Sequence, residues 1–260
     1  MNESHVTKLK INDKEILLLG TAHVSKESAE EVREVIENEK PDSICIELDA
    51  QRYESMKNPK KWEDTDLVEV IRKKQAFLLL ANLIMRSYQK RMAEKLDSEV
   101  GKEMSTAMQM AEENNIPLVL ADRNIQTTFR RIWAKHSPKE KAKIILALTQ
   151  TEDAEEEITA EDIEALKNAD ALEAALSEIS KEFPIVYEVL VQERNQVLAH
   201  NIKNAPGPKV LAVLGAAHVP GIVEEIEKDT DITELENVPE KSNASKARKW
   251  ILPAIIVSLL

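Results

Sequence analysis

A single cysteine among 260 residues excludes an internal disulfide and any zinc cluster built on thiolates, since each needs several sulfurs. Cys45 lies in the apolar run Ser43-Ile44-Cys45-Ile46 and reads as a buried filler, with a catalytic thiol as the alternative. Glycine is scarce, with five in the chain, and aromatic residues make up only 3%. Ala, Glu, Leu and Lys abound instead, which describes a helix-rich chain. Basic residues are outnumbered: 35 Lys and Arg against 47 Asp and Glu leave a net charge of −12. Diffuse nucleic-acid binding is thereby excluded, because phosphate contacts need clustered positive charge. The start, Met1-Asn2-Glu3-Ser4-His5, has neither the basic segment nor the apolar block of a secretory signal, so a cytosol-facing chain is expected. What remains is ordinary globular composition, 43% apolar and 32% charged, which fits neither disorder nor a polytopic membrane protein.

Long apolar runs are also missing until the end of the sequence. Lys246, Arg248 and Lys249 precede Trp250-Ile251-Leu252-Pro253-Ala254-Ile255-Ile256-Val257-Ser258-Leu259-Leu260. Spanning a bilayer takes about 20 apolar residues, so this run reads as the opening of a truncated membrane helix with basic residues and a Trp at its cytoplasmic edge. An apolar tail docking on the fold or on a partner is the alternative. Residues 239–249 then form a polar linker, and the expectation is a membrane-anchored protein whose soluble domain, residues 1–238, faces the cytoplasm.

Four short apolar runs have the composition of buried parallel strands: Ile16–Leu19, Ile44–Leu48, Leu118–Ala121 and Val210–Leu214. Between the first two, Ser25 is a candidate N-cap, Val32, Val35 and Ile36 form an apolar stripe, and Lys40-Pro41-Asp42 stops the helix. Strand, helix and strand in this span make a βαβ unit. Val6–Ile11, followed by the Asn12-Asp13 turn, adds a hairpin strand, and Ile232–Leu235 is read as a last edge strand. Helical insertions are expected at about 67–113 and 125–204. The first contains Phe77–Met85, apolar almost all round, which reads as a helix packed among others; the alternative is a membrane contact or a homodimer interface. Met104, Met108 and Met110 read as core. The expected fold class is α/β, a mostly parallel central sheet with flanking helices and a large helical cap.

One local pattern occurs twice. Leu19-Gly20-Thr21-Ala22-His23-Val24 returns as Leu214-Gly215-Ala216-Ala217-His218-Val219, each copy following an apolar run and preceding a helix. Two of the five glycines are used here. In open parallel sheets, ligands bind beyond the carboxyl ends of strands, and glycine lets the chain turn sharply and a ligand approach the backbone. Neutral imidazole is a metal ligand, and two histidines on neighbouring strand ends can share one ion. Glu47 closes Ile44-Cys45-Ile46-Glu47, where an unpaired acid is costly unless it meets a cation. Asp122-Arg123 ends the third strand, and Glu193-Arg194-Asn195 interrupts the helix expected over Ile185–Ile202. Two histidines and a carboxylate with an open position make a hydrolytic metal site. The plainer readings are a capped structural histidine, an Asp122 that pairs with Arg123 or caps a helix, and a solvated face at Glu193 and Arg194. His5, His136 and His200 read as surface or packing residues.

Gly20-Thr21-Ala22-His23-Val24-Ser25, the Glu47 strand end, Asp122-Arg123, Glu193-Arg194-Asn195 and Gly215-Ala216-Ala217-His218 together resemble the TraB family of pheromone-shutdown proteins. That family is similar to the Tiki metalloproteases. The resemblance spans roughly residues 15 to 228 and implies membrane helices after the domain. It also implies a wider superfamily that includes erythromycin-esterase-like and haem-binding ChaN-like proteins. Tiki-like proteases are described as using manganese or cobalt, and their paired histidines and acid correspond here to His23, His218 and Glu47.

The expectation is a metal-dependent hydrolase, a peptidase acting on peptides or signalling peptides. His23 and His218 would ligate a divalent ion, manganese or cobalt in preference, with zinc as a further choice. Glu47 would be the third ligand or a general base. Arg123 or Arg194 would stabilise an oxyanion or hold a substrate carboxylate, Asn195 would orient either, and Glu193 is an alternative acid–base group. The competing readings are a module that binds and sequesters a peptide without cutting it, and a haem-binding protein.

Overall fold

The computed structural model describes residues 6–21, 26–57, 101–141, 177 and 180–239. Its centre is strand β2 (Lys14–Thr21), in which Ile16 to Leu19 are fully buried. Side chains alternate along a strand, so Leu17 and Leu19 enter one apolar cluster and Ile16 and Leu18 enter a second. A strand apolar on both faces needs a layer on each side, and helices supply both. The edge strand β1 (Val6–Ile11) pairs with β2 antiparallel across a turn in which Asn12 has φ 54°.

Helix α1 (Lys26–Glu39) buries Val32, Val35 and Ile36 in the first cluster. It stops where Lys40 adopts φ 47° and Pro41 can no longer donate to the helix. Strand β3 (Ser43–Ile46) is buried throughout and leads to α2 (Ala50–Lys57). Helix α3 (Lys102–Glu113) lies against α1 and adds Met104, Ala107 and Met110 to the first cluster. After strand β4 (Leu118–Leu120) come α4 (Ile125–Lys135) and the short α5 (Pro184–Tyr187). A π-helical turn at Glu188–Gln192 opens into α6 (Glu193–Lys203). Strand β5 (Lys209–Gly215), a 3₁₀ turn at Ala216–His218 and α7 (Val219–Glu225) complete the fold.

The sheet order is β1-β2-β5-β3-β4, parallel except for β1. Leu198, Ala199 and Ile202 of α6 and Ile222 of α7 pack on the face opposite α1 and α3. The chain therefore leaves β2 toward one face and leaves β5 toward the other. Neighbouring strands whose continuations part in this way open a crevice at their carboxyl ends.

The α/β class, the mostly parallel sheet and three of the four buried runs agree with the sequence reading; the fourth, Leu118–Leu120, is a parallel strand but lies half-buried at the sheet edge. β5 intervenes between the two strands read as one βαβ unit. Ile232–Leu235 is not an edge strand. It is a turn in which Leu235 and Glu236 donate to the Ile232 carbonyl, with Thr233 N–H donating to Asp231 Oδ1 at 2.9 Å. The Asp231 side chain satisfies the backbone locally and diverts it from a ladder. Met104 and Met110 are buried and Met108 packs beside them. Ser25, Phe77–Met85, most of the first insertion, residues 142–176 of the second, nearly all of the linker and the segment 250–260 lie outside the described residues. Among the described residues no helix is long and apolar enough to cross a membrane.

Candidate functional site at the strand ends

In β2 and β5, Gly20 pairs with Leu214 and Thr21 with Gly215, so the two copies of the repeated motif leave adjacent strands side by side. Thr21 Oγ1 donates to the Leu214 carbonyl at 3.2 Å. The crossing is close: a Cβ on Gly20 would sit 3.1 Å from Val219 Cγ2 and 3.2 Å from Ala216 Cα. His218 is buried at the N-terminal end of α7, and Pro220 occupies the first turn. His23 lies outside the described residues, two positions beyond the end of β2.

Glu47 follows β3 directly, and β3 is the other neighbour of β5. Its Oε2 accepts the Gly215 N–H at 2.7 Å and its Oε1 accepts Arg194 Nη2 at 2.5 Å. His218 Nε2 stands 3.4 Å from the same Oε1, beyond the usual range of an N–H···O hydrogen bond. On the other side of the ring, Nδ1 lies 2.6 Å from Asn195 Oδ1. An amide oxygen only accepts, so Nδ1 carries the hydrogen and the ring turns its Nε2 toward the carboxylate. A hydrogen bond at one ring nitrogen fixes the tautomer and the orientation of the other. Asn195 is held in turn by Gly221, where an added Cβ would fall 1.9 Å from Asn195 Nδ2.

Arg194 ties Glu47 to Asp122. Its Nε donates to Asp122 Oδ1 at 3.1 Å, its Nη2 to Asp122 Oδ2 at 2.6 Å, and its Nη1 to the Leu190 carbonyl at 3.4 Å. Burial opposes its charge, but Asp122 and Glu47 more than compensate and raise its pKa, so it stays a cation. Burial likewise works against ionised Asp122, and Arg194 with Arg52 outweighs it, holding that carboxyl below its ordinary value. Arg52 donates through Nε to Asp49 Oδ2 at 2.9 Å and through Nη2 to Asp122. Three carboxylates, Glu47, Asp49 and Asp122, thus meet two guanidinium groups, Arg52 and Arg194.

Arg123 and Glu193 belong to a second network. Glu193 accepts from Arg123 Nη1 at 2.7 Å, from Arg131 Nε at 2.7 Å and Nη2 at 2.8 Å, and from Lys135 Nζ at 2.6 Å. Burial raises the Glu193 pKa, but the hydrogen bonds from Arg131, Lys135 and Arg123 prevail and hold it at about 2. Arg123 donates further to Thr128 Oγ1, the Val189 carbonyl and the Leu235 carbonyl. Arg131 reaches the Glu234 and Asn237 carbonyls. The adjacent pairs Asp122-Arg123 and Glu193-Arg194 therefore divide: Asp122 with Arg194 serves the strand-end cluster, and Arg123 with Glu193 serves this one.

Of the residues singled out from the sequence, the structure brings together Glu47, Arg194, Asn195 and His218, and sets Arg123 and Glu193 apart from them. Asp122 does not cap α4; Asn124 does, accepting from Gln126 and Thr127. His136 is buried with Nδ1 2.7 Å from the Ile132 carbonyl. Cys45 is fully buried, which pushes its thiol up to about 12. Sequence reasoning missed Asp49, Arg52, Arg131, Lys135 and Gly221. Asp49 just before a helix, with Arg52 three residues on, carried a capping signal. Arg131 and Lys135 carried none, since basic residues four apart on a helix usually face water. Among the described residues no three His, Cys, Asp or Glu side chains form a group able to hold a metal ion; His218 and Glu47 provide two, and the third of the sequence-based set is His23.

A model of the TraB/PrgY/gumN family matches residues 5–231. The chain is 33% identical over 256 residues to the uncharacterized protein MJ1365 of Methanocaldococcus jannaschii, an alignment covering 96% of this chain and 64% of that protein. It is 27% identical to a TraB domain-containing protein of Bos taurus and 26% identical to that of Homo sapiens, each over 98% of this chain and 74% of the relative. The chain thus spans somewhat under two thirds of the archaeal relative's length.

Proposed function

The chain belongs to the TraB/PrgY/gumN family, and on that premise we propose that the strand-end cluster is the centre of a metal-dependent hydrolase acting on peptides. The observation that carries this reading is the facing pair His218 Nε2 and Glu47 Oε1, 3.4 Å apart, with the far ring nitrogen engaged by Asn195. An imidazole nitrogen facing a carboxylate oxygen, with the other ring nitrogen oriented by an amide, is a pair suited to a cation. The donor set of imidazole and carboxylate suits manganese or cobalt, with zinc also accommodated. His23, two positions in sequence beyond the strand that pairs with β5, would complete the set.

When bound, such an ion supplies Lewis acidity at neutral pH. The chain's own residues supply the rest. Asn195 fixes the His218 tautomer, and Arg194 with the Gly215 N–H holds the Glu47 carboxylate in place. Asp122 keeps Arg194 charged beside the crevice, where a positive charge stabilises an oxyanion. Arg123 and Glu193 secure the helix that presents Arg194 and Asn195. In the whole protein, the basic and apolar stretch 246–260 would anchor this domain at the cytoplasmic side of a membrane.

Elemental analysis of protein purified without chelator tests the centre before any substrate is known. The expected result is about one divalent ion per chain in wild type and loss of it in His23→Ala plus His218→Ala. Equal metal content in both would refute the assignment. Mass spectrometry of an incubated peptide mixture then separates turnover from stoichiometric capture, and capture without products would convert the hydrolase into a sequestering module.

A further inference from the structure

We infer that Arg52 is the carboxylate-recognition residue at the mouth of this site, receiving a carboxylate of the bound peptide. The inference rests on the proposed site for its location and on a peptide as ligand, but not on the metal or on turnover.

Four arginines surround the two networks, and three are committed. Arg123 and Arg131 have side chains only 1% and 6% exposed, with every one of their nitrogens donating to Glu193, Thr128 or carbonyls of the two flanking segments. Arg194 is 12% exposed and uses all three of its nitrogens. Arg52 differs on both counts. Its side chain is 32% exposed, and its Nη1 has no partner among the described residues.

Its position is also fixed. Asp49 Oδ1 accepts the Gln51 and Arg52 N–H groups at 2.7 and 3.1 Å, and its Oδ2 accepts the Ile125 N–H at 3.2 Å, which joins the starts of α2 and α4. Gln126 Nε2 donates to Gln51 Oε1 at 2.8 Å across the same junction. With Nε bound to Asp49 and Nη2 to Asp122, the guanidinium plane is set before any ligand arrives, and an edge with spare donors remains toward solvent. Asp122 Oδ2 accepts from Arg52 and from Arg194, and Arg194 donates to Glu47. A carboxylate on Arg52 therefore lies within a peptide residue or two of the His218–Glu47 pair. Guanidinium is suited to planar anions because its paired N–H groups match carboxylate geometry. Arg52 already meets two carboxylates, Asp49 and Asp122, and shares the second with Arg194, so selectivity comes from the free donors and not from bulk positive potential.

Calorimetric titration of the full chain with three small probes provides the test. N-acetyl-alanyl-alanine offers a terminal carboxylate, its C-terminal amide offers none, and N-acetyl-aspartyl amide offers a side-chain carboxylate. Wild type should bind at least one acid about 10- to 100-fold more tightly than the neutral amide, as expected for a charge-assisted bidentate pair. Preference for the first acid assigns the ligand group to a chain end, and preference for the aspartyl probe assigns it to a side chain. Arg52→Ala should abolish the difference. Arg52→Lys keeps a cation for Asp49 and Asp122 and should lose most of the difference while keeping the wild-type circular dichroism spectrum. Acids and amide binding alike in wild type, or a difference surviving in Arg52→Lys, would overturn the inference. If Arg52-dependent binding is found and no peptide is ever cleaved, the hydrolase reading fails while this one stands.

Discussion

The two charge networks share neighbouring residues and yet are built to opposite ends. Around Glu193, three cations close on one carboxylate, and backbone carbonyls take most of the donors left over. Around Glu47, an imidazole nitrogen faces a carboxylate oxygen, and one guanidinium edge has no partner among the described residues. A satisfied network rigidifies; one with unspent capacity can take up a ligand. The contrast separates the two networks more sharply than burial does, because Glu47 and Glu193 are both nearly inaccessible.

The largest effect that would separate the two comes from Glu193→Ala. Removing the shared acceptor leaves the buried Arg123 and Arg131 without their carboxylate, while Lys135 keeps Glu188, and urea unfolding should register a loss of about 3–5 kcal/mol. A loss under about 1 kcal/mol would mean that the closed network is not the structural lock described here. The pH dependence sharpens the same point. Glu193 sits at about 2 in the folded chain against an ordinary 4.5, so its contribution is complete above about pH 4.5 and disappears as pH falls toward about 2. Asp122, also lowered, acts in the same direction. Unfolding free energy should therefore drop on acidification through that window, and Glu193→Gln should reduce the slope by up to about 1.4 kcal/mol per pH unit. Parallel slopes would contradict the assigned shift.

A smaller effect is expected at the open network. Gly221→Ala drives a methyl group into Asn195. Overpacking of this kind costs about 1–3 kcal/mol, and displacing Asn195 releases the ring it orients. Metal uptake should fall about 10- to 100-fold, the usual effect of losing such an outer partner. Uptake unchanged while stability falls would show that Asn195 does not govern His218.

Much of this molecule was legible in the order of its residues. Ile16–Leu19 and Val210–Leu214 are buried on both faces, and only an interior strand tolerates an unbroken apolar run. The repeated glycine–histidine motif marked the carboxyl ends of two strands that prove to be neighbours. The insertion of β5 between β2 and β3 was not legible, because strand order is a long-range choice that no local pattern encodes. Nor was the division of Asp122-Arg123 and Glu193-Arg194 between two networks, since adjacent side chains on a helix or loop diverge and sequence gives no partner across 70 residues. Ile232–Leu235 misled for a local reason: it looks β-branched and alternating, but the aspartate before it closes a turn.

That turn has a mechanical consequence. The carbonyls of Glu234, Leu235 and Asn237 are gripped by Arg131 and Arg123, and both arginines also hold the carboxylate at the head of the helix bearing Arg194 and Asn195. The exit of the chain is thus clamped to the footing of the catalytic candidates, a few residues past the stretch that the family model matches. Tension or trimming beyond residue 231 would be felt at the crevice before it was felt in the sheet.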